Sequence, residues 1–289
     1  MKTSLRQVVV LLAAAGAMAS PLAAATDQVA APRASDTLKP PAAEFASPIT
    51  DRLAVRASFV GASVSTDAQI NDTAAGVAGT FFSAERDFGL SDQAHQARAE
   101  FMIRLKNRGR LRVNALDLSR RASIILQRQL RYGDQTYRVS DRVNSTLDWR
   151  MFDFTWTYSL LKTDRFELGT GIGMHLIQAE TTALVPTRNS RESFDGAGPF
   201  LSLAADGSWA FTRRFSLNAR YQSYKLTISD ITAQLTDAHA DVQFRWRRNL
   251  AFGAGYQYNN IDLEFPDENP GGLMRLRISG PELFVRASF

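Results

Sequence analysis

From Phe152 to Leu160 the chain reads FDFTWTYSL, with Phe152, Phe154, Trp156, Tyr158 and Leu160 alternating with Asp153, Thr155, Thr157 and Ser159. Successive side chains of a strand point to opposite faces, so this order gives an extended chain one apolar and one polar side. A helix would set Phe152 and Phe154 on nearly opposite sides and waste both. The run from Arg165 to Gln178 repeats the pattern. Phe166, Leu168, Ile172, Met174 and Leu176 share one face, interrupted by Thr170, and Glu167, Gly169, Gly171, Gly173 and His175 share the other. An apolar face of this length is what a tilted strand needs to cross a bilayer, about 9–11 residues. A soluble half-buried strand usually stops at about five or six.

Applied along the chain, the same test predicts ten strands near residues 52–66, 96–106, 110–121, 146–161, 165–179, 198–211, 215–228, 232–246, 250–264 and 274–289. The connections alternate in length. Asn107-Arg108-Gly109, Lys162-Thr163-Asp164, Thr212-Arg213-Arg214 and Arg247-Arg248-Asn249 are tight; 67–95, 122–145, 180–197 and 265–273 are longer, with a brief one near 229–231. Alternating stretches of this kind, with short turns at one end and longer loops at the other, are the pattern of a membrane-spanning β-barrel. Lipid offers a strand edge no hydrogen-bond partner, so such a sheet closes on itself.

The start of the chain sets the compartment. Lys2 and Arg6 precede an apolar stretch from Val8 to Ala19, and Ala23-Ala24-Ala25 offers a small-residue cleavage site, the layout of a secretory signal peptide over residues 1–25. Residues 26–50, rich in Ala, Pro, Ser and Thr, read as a flexible periplasmic leader, and residues 51–289 as the barrel. There is no cysteine, which excludes thiolate metal sites and cysteine nucleophiles. After the signal region no run of about 18 apolar residues offers a helical span. A net charge of +5 is too small to argue for nucleic acid, and the export signal argues against it.

At the other end, GPELFVRASF sets Leu283, Val285, Ala287 and Phe289 against Glu282, Phe284, Arg286 and Ser288. A C-terminal Phe289 behind alternating apolar residues resembles the terminal-strand signature of Gram-negative outer-membrane β-barrel proteins. The resemblance implies a closed antiparallel up-and-down barrel in the cell outer membrane, lipid and lipopolysaccharide around it, and Phe289, Val285 and Leu283 as an address read by the barrel-assembly machinery. Two features depart from the pattern. Pro281 cannot donate to a ladder, so a bulge or local break is expected at Gly280-Pro281. In the third strand the outward series Leu111, Val113, Ala115 runs into Asp117 and Ser119, placing those two above the membrane. Residues 123–143 then read as an external hairpin turning at Tyr132-Gly133-Asp134. Ten strands are expected; eight or twelve remain alternatives. Trp209, Phe211 and Phe215, with Phe244 and Trp246, flank two tight turns, as interfacial aromatic belts do.

The inward faces carry Arg56, Glu100, Arg104, Arg112, Asp153, Glu167, His175, Asp206, Arg220, Asp237, His239, Asp241, Arg245, Glu282 and Arg286. A ten-stranded barrel is little wider than the eight-stranded kind, whose interior side chains fill it. These charges are therefore expected to pair as a partly hydrated plug, with a narrow pore as the alternative. No GxSxG, HExxH, phosphate loop or metal-ligand spacing occurs, so no catalytic residue, metal or cofactor is assigned. A Ser/His/Asp group could assemble from His239, Asp237 or Asp241 and an inward serine such as Ser202, though nothing in the spacing demands it, which leaves a barrel enzyme acting on lipid as an alternative. The charged loops SAERDFGLSDQAHQ and PTRNSRESFDG suit contact with lipopolysaccharide and solvent, which leaves a loop-based adhesin or receptor as a further alternative.

Overall fold

Alternation at this length does produce a closed ring. The computed structural model describes residues 48–72, 75–132, 135–187, 190–228, 231–265 and 271–289. The signal peptide, residues 26–47 of the leader, and Gly133-Asp134 of the hairpin turn lie outside the described residues. The strands are β1 (Leu53–Ile70), β2 (Phe82–Ser83), β3 (Gln93–Leu105), β4 (Gly109–Ile125), β5 (Leu130–Tyr132), β6 (Gln135–Tyr137), β7 (Arg142–Lys162), β8 (Phe166–Val185), β9 (Ser190–Trp209), β10 (Phe215–Ile228), β11 (Ile231–Arg247), β12 (Leu250–Phe265) and β13 (Gly272–Ser288). One helix, α1 (Ala84–Phe88), lies between β2 and β3.

Ten of the strands pair with their neighbours in chain order, and β13 pairs with β1 to close the ring. The closing ladder runs antiparallel from Ala54↔Ser288 to Ile70↔Gly272. Phe289 completes it: its N–H donates to the Leu53 carbonyl at 2.8 Å, and its own oxygen accepts from the Arg52 and Leu53 N–H groups. Pro281 does not cause the expected bulge. The register is the same on both sides of it, and Pro281 still lies opposite Tyr256 of β12. The break is confined to the β1 side, where Gly61 and Ala62 have no bridge to β13 but stay paired with β3.

The strands are longer than their apolar outer faces. β7 spans 21 residues and β8 spans 20, and the stretch 180–197 is mostly strand rather than the loop its composition suggested. The reason is an inversion of polarity partway along each strand. On β7 the outward residues Phe152 to Leu160 are apolar and exposed, while Asn144, Thr146, Asp148 and Arg150 on the same face are polar. Inside, Asp153, Thr155, Thr157 and Ser159 give way to Val143, Leu147, Trp149 and Met151, all buried. β8 switches between His175 and Ile177, β4 between Asn114 and Leu116, and β13 between Glu282 and Ile278. The barrel is thus two stacked parts. Near the tight turns it is apolar outside and polar inside; toward the long loops it is polar outside and packed with Leu118, Leu147, Trp149, Leu235, Leu276 and Ile278. The outward stretch of nine residues on β7, at about 3.3 Å each and tilted by about 45°, covers roughly the 25 Å apolar band of a spanning barrel.

The first long loop is not wholly external. Ser83 caps α1, accepting from the Arg86 N–H at 3.4 Å, and Gly89, at φ 69°, ends it in the left-handed region. Ala84, Phe88 and Leu90 turn inward, and Phe88 packs edge-on against Phe82 and Tyr137. Together with the β5–β6 hairpin this segment closes the loop end, where a cavity of about 50 Å³ remains between Phe82, Phe88, Tyr132 and Ala183.

Candidate functional site

In the polar half of the lumen many buried chemistry-bearing side chains converge. Every inward candidate named from the sequence is buried there except Arg220, which is half-buried. Among the described residues eight arginines (Arg56, Arg98, Arg104, Arg110, Arg112, Arg220, Arg245, Arg286) share this space with eight carboxylates (Asp51, Glu100, Asp153, Glu167, Asp206, Asp237, Asp241, Glu282). The lumen is therefore formally neutral, as an interior that cannot hydrate separate charges requires.

The pairing is specific. Arg104 of β3 grips Glu167 of β8 with both terminal nitrogens, at 2.7 and 3.0 Å. Ser159 donates to the same carboxylate, and Arg110 stands 3.3 Å from it. Arg110 and Arg112 then meet Asp206 of β9 at 2.6 and 2.5 Å. Across the lumen Arg56 bridges Asp241 at 2.7 Å and Glu282 at 2.9 Å, with its guanidinium 3.5 Å above the Phe284 ring. Arg220 meets Glu100 at 2.5 Å. At the mouth, Asp51 takes Arg245 at 2.8 Å and Arg286 at 3.1 Å, while Pro48 and Asp51 accept Arg104 through their backbone carbonyls. Pro48 and Ile49, placed in the leader from composition, are buried in this mouth.

Small residues make the room. A Cβ on Gly169 would lie 2.6 Å from the Asp206 carboxylate and 2.7 Å from Arg110, and one on Gly173 would collide with Gln222 and Ser202. Gly169 and Gly173 thus leave the space their neighbours' side chains occupy, while a Cβ on Gly171 would meet the Trp156 backbone.

The two lumen histidines differ from the catalytic arrangement weighed from sequence. His239 Nε2 lies 2.6 Å from Glu282 and Nδ1 faces Arg220 at 3.4 Å, so it belongs to the ion network. Ser202 lies instead beside His175, at 3.2 Å, with Gln222 Oε1 3.0 Å from the same Nε2. Gln222 donates its amide to Asp153 at 3.1 Å, which turns its oxygen toward His175 and makes Nε2 the protonated nitrogen. Among the described residues Nδ1 of His175 has no partner, and the ring is fully buried. A base for Ser202 would need a free Nε2 and a carboxylate at Nδ1; neither is present. Among the described residues no cluster of His, Asp and Glu has the geometry of a metal site.

Sequence reasoning omitted Arg98, Arg110 and Asp51. The first two share parity with Glu100 and Arg112 on their own strands, so the same alternation marks them. Asp51 precedes the first strand and carried no such signal.

The tight turns differ from the lumen in charge. Each carries two cations: Lys106 and Arg108, Lys162 and Arg165, Arg213 and Arg214, Arg247 and Arg248. Beside the first two turns lies a recess of about 650 Å³ lined by Arg52, Arg104, Lys106, Arg108 and Lys162, with Asp164 as the one carboxylate in its lining.

No protein-family model matches the sequence, and no curated protein matches it. Solved structures do match the fold. The outer membrane protease OmpT from Escherichia coli superposes with a TM-score of 0.55 at 11% identity, over 83% of this chain and 97% of that chain. A Pseudomonas aeruginosa FadL homologue (TM-score 0.36, 8% identity, 83% and 91% covered) and Ail of Yersinia pestis (0.30, 9%, 81% and 99%) are looser likenesses. These neighbours are Gram-negative outer-membrane β-barrel proteins, and at such identities what is shared with OmpT is architecture.

Proposed function

We propose that this protein is a sealed outer-membrane barrel with a structural role, exported by its N-terminal signal and inserted through its terminal strand, with the long loops outside and the tight turns in the periplasm. The apolar band on the turn-end half fits the hydrocarbon, and the polar outer face above it fits lipopolysaccharide and water. Phe289, Val285 and Leu283 point outward on the strand that closes the ring, where the assembly machinery would read them.

One observation carries the structural reading over a pore: the lumen is blocked twice. Ion pairs of 2.5–3.0 Å span it in the membrane half. Above them Val60, Leu118, Leu147, Trp149, Leu276 and Ile278, each at most 2% exposed, form a dry layer that an ion cannot cross without losing its hydration. The test is conductance. Purified protein in planar bilayers is expected to leave the membrane silent across ±100 mV; discrete, reproducible steps would sink the sealed reading in favour of a narrow pore.

A further inference from the structure

The turn end of the barrel carries charge unlike any other part of the molecule. The lumen balances its arginines with carboxylates and the loop end mixes signs, but each tight turn contributes two cations to one rim. Of the five cations lining the 650 Å³ recess, Arg104 is paired with Glu167, and none of the other four, Arg52, Lys106, Arg108 and Lys162, lies within ion-pair distance of a carboxylate among the described residues. Two are held in place by backbone instead. Arg108 donates to the Ser159 and Leu160 carbonyls at 3.2 and 3.3 Å, and Lys162 donates to the Asn107 carbonyl and side chain at 2.6 and 2.8 Å. Lys106 sits at φ 54° in the left-handed region and is exposed. Directly beside this recess the outer face is apolar: Leu105, Leu160 and Leu161 are 46%, 62% and 50% exposed. Preorganised cations without counterions, next to an apolar wall at the membrane boundary, match a molecule with an anionic head and acyl tails.

From this juxtaposition we infer that the recess between the β3–β4 and β7–β8 turns binds the phosphate headgroup of an anionic phospholipid from the periplasmic leaflet, with its acyl chains along Leu105, Leu160 and Leu161. A phosphate oxygen supplies the anionic partner that Arg52, Lys106, Arg108 and Lys162 lack among the described residues. Basic side chains near an anionic lipid surface each add attraction, and snorkelling stems keep the heads at headgroup level. The inference rests on the outer face being lipid-facing.

The test uses the full barrel in nanodiscs of phosphatidylcholine alone or with one part in five phosphatidylglycerol, followed by native mass spectrometry of lipid retained on the released barrel. The parent is expected to retain one phosphatidylglycerol in preference to phosphatidylcholine. The triple variant Lys106→Asn, Arg108→Gln, Lys162→Gln, altered only at exposed or part-exposed turn positions, is expected to lose roughly tenfold to a hundredfold of that preference. Neutralising Arg138 and Lys225, away from the recess, is expected to leave it unchanged. Equal retention of both lipids by the parent, or undiminished preference in the triple variant, overturns the inference. Inorganic phosphate competing at millimolar concentration as well as the lipid does would overturn the lipid assignment in favour of a free-phosphate site. Failure to enter nanodiscs at all would instead overturn the membrane reading on which it rests.

Discussion

Glu167 shows how much of this molecule is decided one side chain at a time. It is fully buried between Arg104 and Arg110, and Ser159 donates a third contact. The Coulombic gain of such a pair is largely offset by desolvation, but removing one partner leaves the other charge stranded. Glu167→Gln is expected to destabilise the barrel by about 3–5 kcal/mol, read as a lowered urea midpoint in lipid vesicles with an unchanged slope. A loss within about 0.5 kcal/mol would mean that water, not the carboxylate, solvates those guanidiniums. Strand parity made Glu167 legible as an inward acid. Its partner was not legible, because Arg104 lies 63 residues away and only closure of the sheet brings it near.

At the scale of elements, the inversion of polarity explains both what the sequence shows and what it hides. Outward apolar residues mark only Phe152 to Leu160 of β7, since the ten residues before Phe152 are mostly apolar inside and polar outside, and the strand predicted near 146–161 in fact begins at Arg142. The same inversion makes 180–197 look like a loop although it is strand. α1 was hidden for another reason: five residues are too few for a helical period, and its Ser83 cap and Gly89 stop are the only local signals. What anchors it is electrostatic. Arg128 holds Asp87 at 2.7 and 2.9 Å across the loop end. Burial pushes the Asp87 carboxyl up, but the Arg128 hydrogen bond, with help from the Ser83 N–H, outweighs it and holds the group below its ordinary 3.8. A carboxyl depressed in the folded state stabilises above its unfolded value and loses that contribution as pH falls through the folded one. Amide exchange over residues 84–90 and 126–130, corrected for intrinsic rate, is therefore expected to be steady from pH 7 to 5 and to accelerate below about 3.8. Acceleration already near pH 6 would contradict the Asp87 tether.

For the whole molecule the decisive contact is between its ends. Val55 and Ala287 stand opposite each other on the closing ladder, both on the outer face, and the chain has no cysteine of its own. The pair Val55→Cys, Ala287→Cys is expected to form a disulfide in the folded barrel and to shift its mobility on a denaturing gel once unfolded. Thiols that stay free under oxidising conditions would mean the ring is open. The period-two pattern and the rhythm of turns determined by themselves that the chain forms long paired strands with one lipid-compatible face, because side-chain alternation is a local property of extended backbone. They also marked which residues face inward. Only the tertiary structure decided which arginine meets which carboxylate, and that Gly169 leaves room for Asp206 and Arg110. Those facts depend on strands far apart in the chain coming within a few ångströms, and closure of the ring alone supplies that proximity.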